Sequence, residues 1–254
     1  MKNAGLWQPS KFVLVDGRLR SSSDTSQVGV PSRFVVDLVA AALSDAIPKV
    51  CRGRLLDLGC GKVPLYGTYR MHVDDVVCAD WPQSLHPLQH VDVHCDLTQR
   101  LPFEGAAFDT VLLTDVLEHI PTPDQLLQEI ARILKPGGAL LGTVPYLYAV
   151  HEAPHDYFRY TEFALRRMAE AAGLVVERLE PYAGGFDVVF DTLAKTVVGL
   201  HWRVGTRLAR MAQGIGSWVH HSALGRRTQH RWEQLPLGYI FVLRRAADGA
   251  ARSA

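Results

Sequence analysis

Leu55-Leu56-Asp57-Leu58-Gly59-Cys60-Gly61-Lys62-Val63-Pro64 decides how the rest of the chain is read. Its first four residues form a short apolar run around one acid, which suits a buried strand. Gly59 and Gly61 allow a tight turn and the close approach of a ligand to the backbone. Pro64 suits the first turn of a following helix. Taken alone, the two glycines fit an ordinary strand-to-helix turn equally well.

Outward from this turn, similar apolar segments recur. Val76 to Ala79 ends in Asp80, Val91 to Cys95 ends in Asp96, and Phe108 to Leu113 ends at Thr114 and Asp115. Leu126, Leu127, Ile130, Ile133 and Leu134 share the inner face of an amphipathic helix, and Lys135-Pro136-Gly137-Gly138 stops it. Ala139 to Val144 is the next strand. A helix from Thr161, its N-cap, to Ala172 follows, and Leu174 to Leu179 and Tyr239 to Leu243 are the last strands. Upstream, Phe34, Leu38, Ala41 and Leu43 make one face of a helix that Pro48 ends. Strands alternating with helices predict a Rossmann-like, mostly parallel seven-stranded sheet with helices on both faces. In such sheets ligands bind beyond the carboxyl ends of the strands. Asp80 stands about twenty residues beyond the glycines, where a carboxylate can accept hydrogen bonds from both hydroxyls of a ribose. Asp96 and Leu97 are placed to meet an adenine edge.

The glycine motif Asp57-Leu58-Gly59-Cys60-Gly61 resembles the first motif of class I S-adenosylmethionine-dependent methyltransferases. Leu101-Pro102-Phe103 with Phe108 to Val111, then Asp115-Val116-Leu117-Glu118-His119-Ile120, then Lys135 to Gly138, resemble later segments of that family in the same order. The resemblance covers roughly residues 33 to 182 and takes in the final strand. One position departs from it: the third glycine often found in the loop is Val63. The resemblance implies S-adenosylmethionine as cofactor, S-adenosylhomocysteine as product, and no metal. It places Asp57, Gly59, Cys60 and Gly61 around the methionine part, and Asp80 on the ribose. Trp81 goes against the adenine, Asp96 and Leu97 at its edge and ring, and Thr114 and His119 near the methionine end. A dinucleotide fingerprint fits less well, because its third glycine position is Pro64.

Methyl transfer to a hydroxyl needs alignment, exclusion of water and removal of a proton. The segment from Pro145 to Thr161 follows the fifth strand and is dense in His, Asp, Tyr and Arg. It resembles a stretch in bacterial methyltransferases of polysaccharide and natural-product pathways. His151 or His155 is the expected base, with Asp156 orienting an imidazole or the substrate, and Tyr146, Tyr157 and Arg159 bordering the acceptor. Asp156, Arg159 and Tyr160 could instead tie the loop down. His119 could serve as base or anchor its turn.

The chain has 254 residues, 48% hydrophobic, 21% charged, with a net charge of +1. That suits one α/β domain and gives no general attraction to nucleic acid, which is not an expected partner. The N-terminus lacks the apolar core of a signal peptide. Cys51, Cys60, Cys78 and Cys95 lack C-x-x-C spacing and are read as reduced, buried residues of a cytoplasmic protein. The expected organisation is a flexible segment over 1–30, a methyltransferase domain over 31–246 and a tail over 247–254. A helical insertion over 184–235 precedes the last strand. Phe186, Phe190, Leu193, Val197, Leu200, Val204, Leu208 and Met211 recur in it at helical spacing. Basic residues fill the faces between, among them Lys195, Arg203, Arg207, Arg210, His220, His221, Arg226, Arg227, His230 and Arg231. Its only acids are Asp187, Asp191 and Glu233. The insertion reads as a lid or homodimer contact with a buried stripe, or as a helix lying on an anionic membrane surface. The function expected is O-methylation of a small molecule or glycan in a biosynthetic pathway. Methylation of RNA or protein, and a non-catalytic scaffold that keeps the fold, are the alternatives.

Overall fold

The computed structural model describes residues 1–84, 86–229 and 234–247. His230, Arg231, Glu233 and the expected tail beyond Ala247 lie outside the described residues.

Seven strands form the central sheet: β3 (Arg54–Leu58), β4 (Asp75–Asp80), β5 (Val93–His94), β6 (Phe108–Thr114), β7 (Leu134–Pro145), β8 (Leu174–Pro181) and β9 (Gly238–Arg245). Their order is β5-β4-β3-β6-β7-β9-β8. The first five run parallel, while β9 lies antiparallel between β7 and β8. The order reverses between β3 and β6, and a crevice opens there at the carboxyl ends of the strands.

Alternation along each strand builds two cores. Leu55, Leu112, Leu141, Ile240 and Val242 face one side; Leu56, Leu58, Val111, Leu113, Leu140 and Phe241 face the other. The second face is covered by α3 (Pro123–Ile133) and α4 (Glu162–Ala171), through Leu126, Leu127, Ile130, Leu165 and Met168. Thr161 caps α4 by accepting a hydrogen bond from the Ala164 amide. The first face is covered by α1 (Arg33–Val50).

Pro48 does not end α1. It sits in the last turn, where only one helical hydrogen bond is lost, and the Cys51 amide still closes onto Ile47. Ala41 is exposed, yet residues on most other sides of α1 are buried. The cause is a second covering layer. The first thirty residues, expected as a flexible segment, are folded. β1 (Phe12–Val15) and β2 (Arg18–Ser21) form a hairpin that buries Phe12 and Leu19 in the same core as α1. The terminal ammonium of Met1 donates to the Val76 carbonyl at 2.6 Å, and the Trp7 indole donates to the Val63 carbonyl at 2.9 Å. These partners lie far away in sequence, so a local reading of a polar segment does not find them.

β5 is shorter than the apolar run Val91 to Cys95, because the Asp92 side chain accepts the Cys78 amide at 2.8 Å and interrupts the ladder. The Lys135-Pro136-Gly137-Gly138 turn lies inside the first residues of β7, immediately after α3 ends at Ile133. The four cysteines are buried and unpaired. The insertion folds as α5 (Phe186–Val197), α6 (Trp202–His221) and α7 (Ala223–Gln229). No helix among the described residues is long and apolar enough to cross a membrane.

β7 and β9 meet closely at Gly142. A methyl group there would overlap the Phe241 ring and stand 2.8 Å from the Leu113 carbonyl oxygen. Gly142→Ala is expected to destabilise the chain by about 2 kcal/mol or more, as overpacking does. Urea unfolding checks this, and an unchanged midpoint would mean that the β7–β9 contact is looser than described.

Candidate active site

A cavity of about 860 Å³ opens over the carboxyl ends of β3, β4, β6 and β7. All ten residues expected around the cofactor line it: Asp57, Gly59, Cys60, Gly61, Asp80, Trp81, Asp96, Leu97, Thr114 and His119. Beyond β3 the chain turns through the left-handed region at Gly59 (φ 71°), Gly61 (φ 50°) and Val63 (φ 52°). A Cβ on Gly59 would stand 2.6 Å from a Val116 methyl group, so the glycine meets a steric as well as a conformational demand. Val63 takes a conformation that a β-branched residue rarely adopts. It is fully buried, and Trp7 holds its carbonyl. The missing third glycine is therefore met by strain that the surrounding structure holds in place. Pro64 leads into α2 (Tyr66–Tyr69), a single turn.

Asp80 organises this loop. One carboxylate oxygen accepts the Gly61 amide at 2.6 Å, and the other accepts the Trp81 amide at 2.7 Å. Burial raises its pKa above the ordinary carboxylate value, against the pull of those two amides. Asp57 lies deeper and accepts the Tyr69 hydroxyl at 2.9 Å. Burial pushes its carboxyl up to about 7; the Tyr69 hydrogen bond opposes the rise and the Asp80 charge adds to it. Asp96 is exposed at the rim, where it accepts from the Thr98 amide and hydroxyl. Trp81 is 37% exposed and meets the His155 ring edge to face at 5.4 Å, which leaves it open to a planar ligand.

The far wall comes from β6, from the turn Leu117–His119 and from the loop after β7. Asp115 has φ 52°; it accepts the Thr143 hydroxyl at 2.8 Å and pairs with Lys11 at 2.9 Å. Burial alone would raise the Asp115 carboxyl, but Lys11 and Thr143 hold it below the ordinary value. Glu118 is fully buried with neither carboxyl oxygen hydrogen-bonded. Burial, together with the Asp115 charge, pushes it well above the ordinary carboxylate range. His119 shares its Nδ1 with the His155 carbonyl at 2.6 Å. The His151 ring sits 4.7 Å from the His119 ring, with Nε2 3.8 Å from Glu118 and Nδ1 3.3 Å from Asp156. Donor atoms of Glu118, His119 and His151 lie within 4.8 Å of one another, a spacing that a metal ion could bridge. Burial favours the neutral form of Glu118, and transfer from a sulfonium requires no metal.

The residues expected around the acceptor divide. His151, His155 and Tyr157 line the cavity, while Asp156, Tyr146 and Arg159 do not. Asp156 lies beneath His151. It accepts the His151 amide at 2.9 Å and two Arg159 hydrogen bonds at 2.6 and 2.7 Å, and Arg159 holds its carboxyl far below the usual range. Arg159 also donates to the carbonyls of Ala149 and Phe158, so it ties the loop down and does not face an acceptor. Tyr146 is turned into the second core, against Tyr239. The Tyr160 hydroxyl fastens the loop to the Leu117 carbonyl. Lys11, His86, Tyr148 and Tyr182 also line the cavity. Lys11 carries no sequence signal, since its partner Asp115 lies 104 residues away.

The residues fit S-adenosylmethionine: the cavity runs unbroken across the strand ends, and a Cβ at Gly59 would crowd its floor. Residues 56–142 match the family model described as "Methyltransferase domain". The chain carries a class I S-adenosylmethionine-dependent methyltransferase domain, and S-adenosylmethionine is the cofactor that such a domain binds. The ubiquinone biosynthesis O-methyltransferase of Chromobacterium violaceum is 29% identical over 156 residues, covering 50% of this chain and 66% of that protein. The biotin biosynthesis bifunctional protein BioHC of Cellvibrio japonicus is 30% identical over 148 residues, covering 53% of this chain but 29% of that protein. These matches thus span less than two thirds of either relative. A methyltransferase-like structure from Bacillus halodurans shares the fold, with TM-score 0.53 and 17% identity over 83% of this chain and 99% of that one.

If Asp80 holds the ribose, Asp80→Ala should weaken S-adenosylhomocysteine at least tenfold in calorimetric titration, with unchanged affinity removing that role. Asp57 gives a pH dependence. Between the unfolded value of about 3.9 and the folded value of about 7, the folded chain keeps a proton that the unfolded chain releases. Its contribution to stability therefore falls as pH rises through that window. A cofactor ammonium near Asp57 favours the carboxylate, so S-adenosylhomocysteine should bind more weakly as pH falls below about 7 and level off above it. Titrations across that range check this, and pH-independent affinity would remove Asp57 from contact with the ammonium.

Proposed function

We propose that this chain methylates a hydroxyl oxygen of a small molecule or glycan, with His151 accepting the hydroxyl proton. The carrying observation is the line Arg159–Asp156–His151, which aims His151 Nε2 toward Glu118 on the cavity wall. Burial, and next the His119 charge, lower the His151 pKa, while Asp156 opposes them. The ring is therefore neutral at neutral pH and able to take a proton. Asp156 stands 3.3 Å from Nδ1 without a hydrogen bond to it, where its charge favours the imidazolium that proton uptake produces.

S-adenosylmethionine supplies a methyl group already activated by its sulfonium. In the transfer the acceptor oxygen forms a bond to that carbon, the carbon–sulfur bond breaks with its electron pair going to sulfur, and the hydroxyl proton goes to His151 Nε2. Tyr148, edge to face with His151 at 5.2 Å, and His119 hold the ring from two sides. His155 is the weaker candidate, because it packs on Trp81 and hydrogen-bonds Tyr157. The O-methyltransferase named among the relatives supports an oxygen acceptor.

His151→Ala should keep S-adenosylhomocysteine affinity within about threefold and lose roughly 10²–10⁴ in kcat. In the unaltered chain kcat should fall on acidification, with its midpoint below the ordinary imidazole value of about 6.5, because protonated His151 cannot act as base. A screen of phenols and sugars by S-adenosylhomocysteine release provides the assay. Full turnover by the variant would refute His151 as base, and cofactor binding without turnover on any acceptor class would favour a scaffold.

A further inference from the structure

The helical insertion is built inside out. α6 buries its small residues, Gly205, Ala209, Ala212 and Gly216, together with Gln213. The close approach is real: a Cβ on Gly216 would stand 2.7 Å from the Cβ of Phe190 on α5. The large apolar residues of α6 point outward. Val204, Leu208, Met211, Ile215 and Trp218 recur at helical spacing and are 51%, 37%, 61%, 48% and 72% exposed. α5 repeats the inversion. Beside Val188 and Ala194 it buries Asp187 and Asp191, paired with His220 and Lys195, and it exposes Phe186, Val189 and Leu193. A helix hairpin that only covered the domain would bury the large residues and expose the acids.

We infer that the outer side of α5 and α6 docks on an anionic lipid bilayer surface. Charge selects this occupant. Arg203, Arg207 and Arg210 flank the exposed stripe, and no Asp or Glu occurs between Asp191 and Glu233. A symmetric dimer through this face would set two cationic rims against each other. Anionic headgroups match the arginines, whose stems can lie along the apolar stripe while their guanidinium groups reach the phosphates. Trp218, near the end of the stripe, suits the interface level. At 20 residues α6 is about 30 Å long and too polar to span a bilayer, so it lies in the interface plane.

The test is co-sedimentation of the full chain with vesicles of phosphatidylcholine alone and of phosphatidylcholine with phosphatidylglycerol, at low and high salt. Phosphatidylglycerol vesicles should bind the chain, and high salt should release it. Arg207→Gln with Arg210→Gln should weaken binding roughly thirtyfold, about fivefold per arginine. Met211→Glu, Ile215→Glu and Trp218→Glu together should abolish it, with S-adenosylhomocysteine affinity and far-UV circular dichroism unchanged. No binding to phosphatidylglycerol vesicles at low salt, or equal binding by the triple variant, overturns the inference. So does concentration-dependent dimerisation that the triple variant removes in a chain that binds no vesicles, which would assign the face to a second copy.

Discussion

The Asp80 carboxylate fixes the geometry on which the cavity depends. The chain leaving β3 must pass through left-handed backbone at three positions within five residues, one of them Val63. Such a path stays ordered only if its amides are satisfied and its surroundings leave no alternative. Asp80 supplies the amide partners on one side, at Gly61 and Trp81. On the other side the folded N-terminus supplies Trp7, whose indole holds the Val63 carbonyl. The segment that precedes the N-terminal hairpin is thus part of what shapes the loop after β3. Deeper down, Asp57 and Asp80 bring two partly desolvated acids near each other, and repulsion is eased because Asp57 holds its proton up to about 7.

What the sequence made legible was whatever depends on short range. The strand ends at Leu58, Asp80 and Thr114 follow from apolar runs broken by glycine or acid, and the structure brings Gly59, Asp80 and Thr114 to one cavity. The Thr161 cap is legible for the same reason. The hairpin over residues 12–21 was hidden, because its apolar residues are few and its partners distant. Lys11 was hidden with it. The roles within the loop after β7 could be listed but not sorted. Arg159 and Tyr146 have the chemistry of substrate contacts, and only three-dimensional packing turns one onto Asp156 and the other onto Tyr239. For the insertion, periodicity marked the apolar stripe but could not say which way it faced. The small residues of α6 decide that, because they allow a closer approach to α5 than the large ones would.

The insertion and the loop after β7 touch. The Lys195 ammonium lies 3.7 Å from the centre of the Tyr148 ring, and Tyr148 in turn packs on His151. Gln213 of α6 accepts the Phe34 amide at the start of α1, whose Val35, Val36 and Val39 line the cavity. The inner side of α5 and α6 is therefore in contact with residues that pack on His151 and line the cavity.

Charge in the cavity follows one pattern. Lys11 is matched by Asp115 on the cavity wall, and Arg159 by Asp156 beneath it. Burial favours the neutral form of Glu118, and burial also lowers the His151 pKa. The wall around His151 is thus polar, with ionic groups matched in pairs, Glu152 with His86 among them. That suits a reaction in which a sulfonium cation loses its charge as the methyl group leaves, because the site gains little by stabilising the starting cation at the acceptor end. Were His151 to take up a proton, the Asp156 carboxylate 3.3 Å from its Nδ1 would stabilise the imidazolium that results.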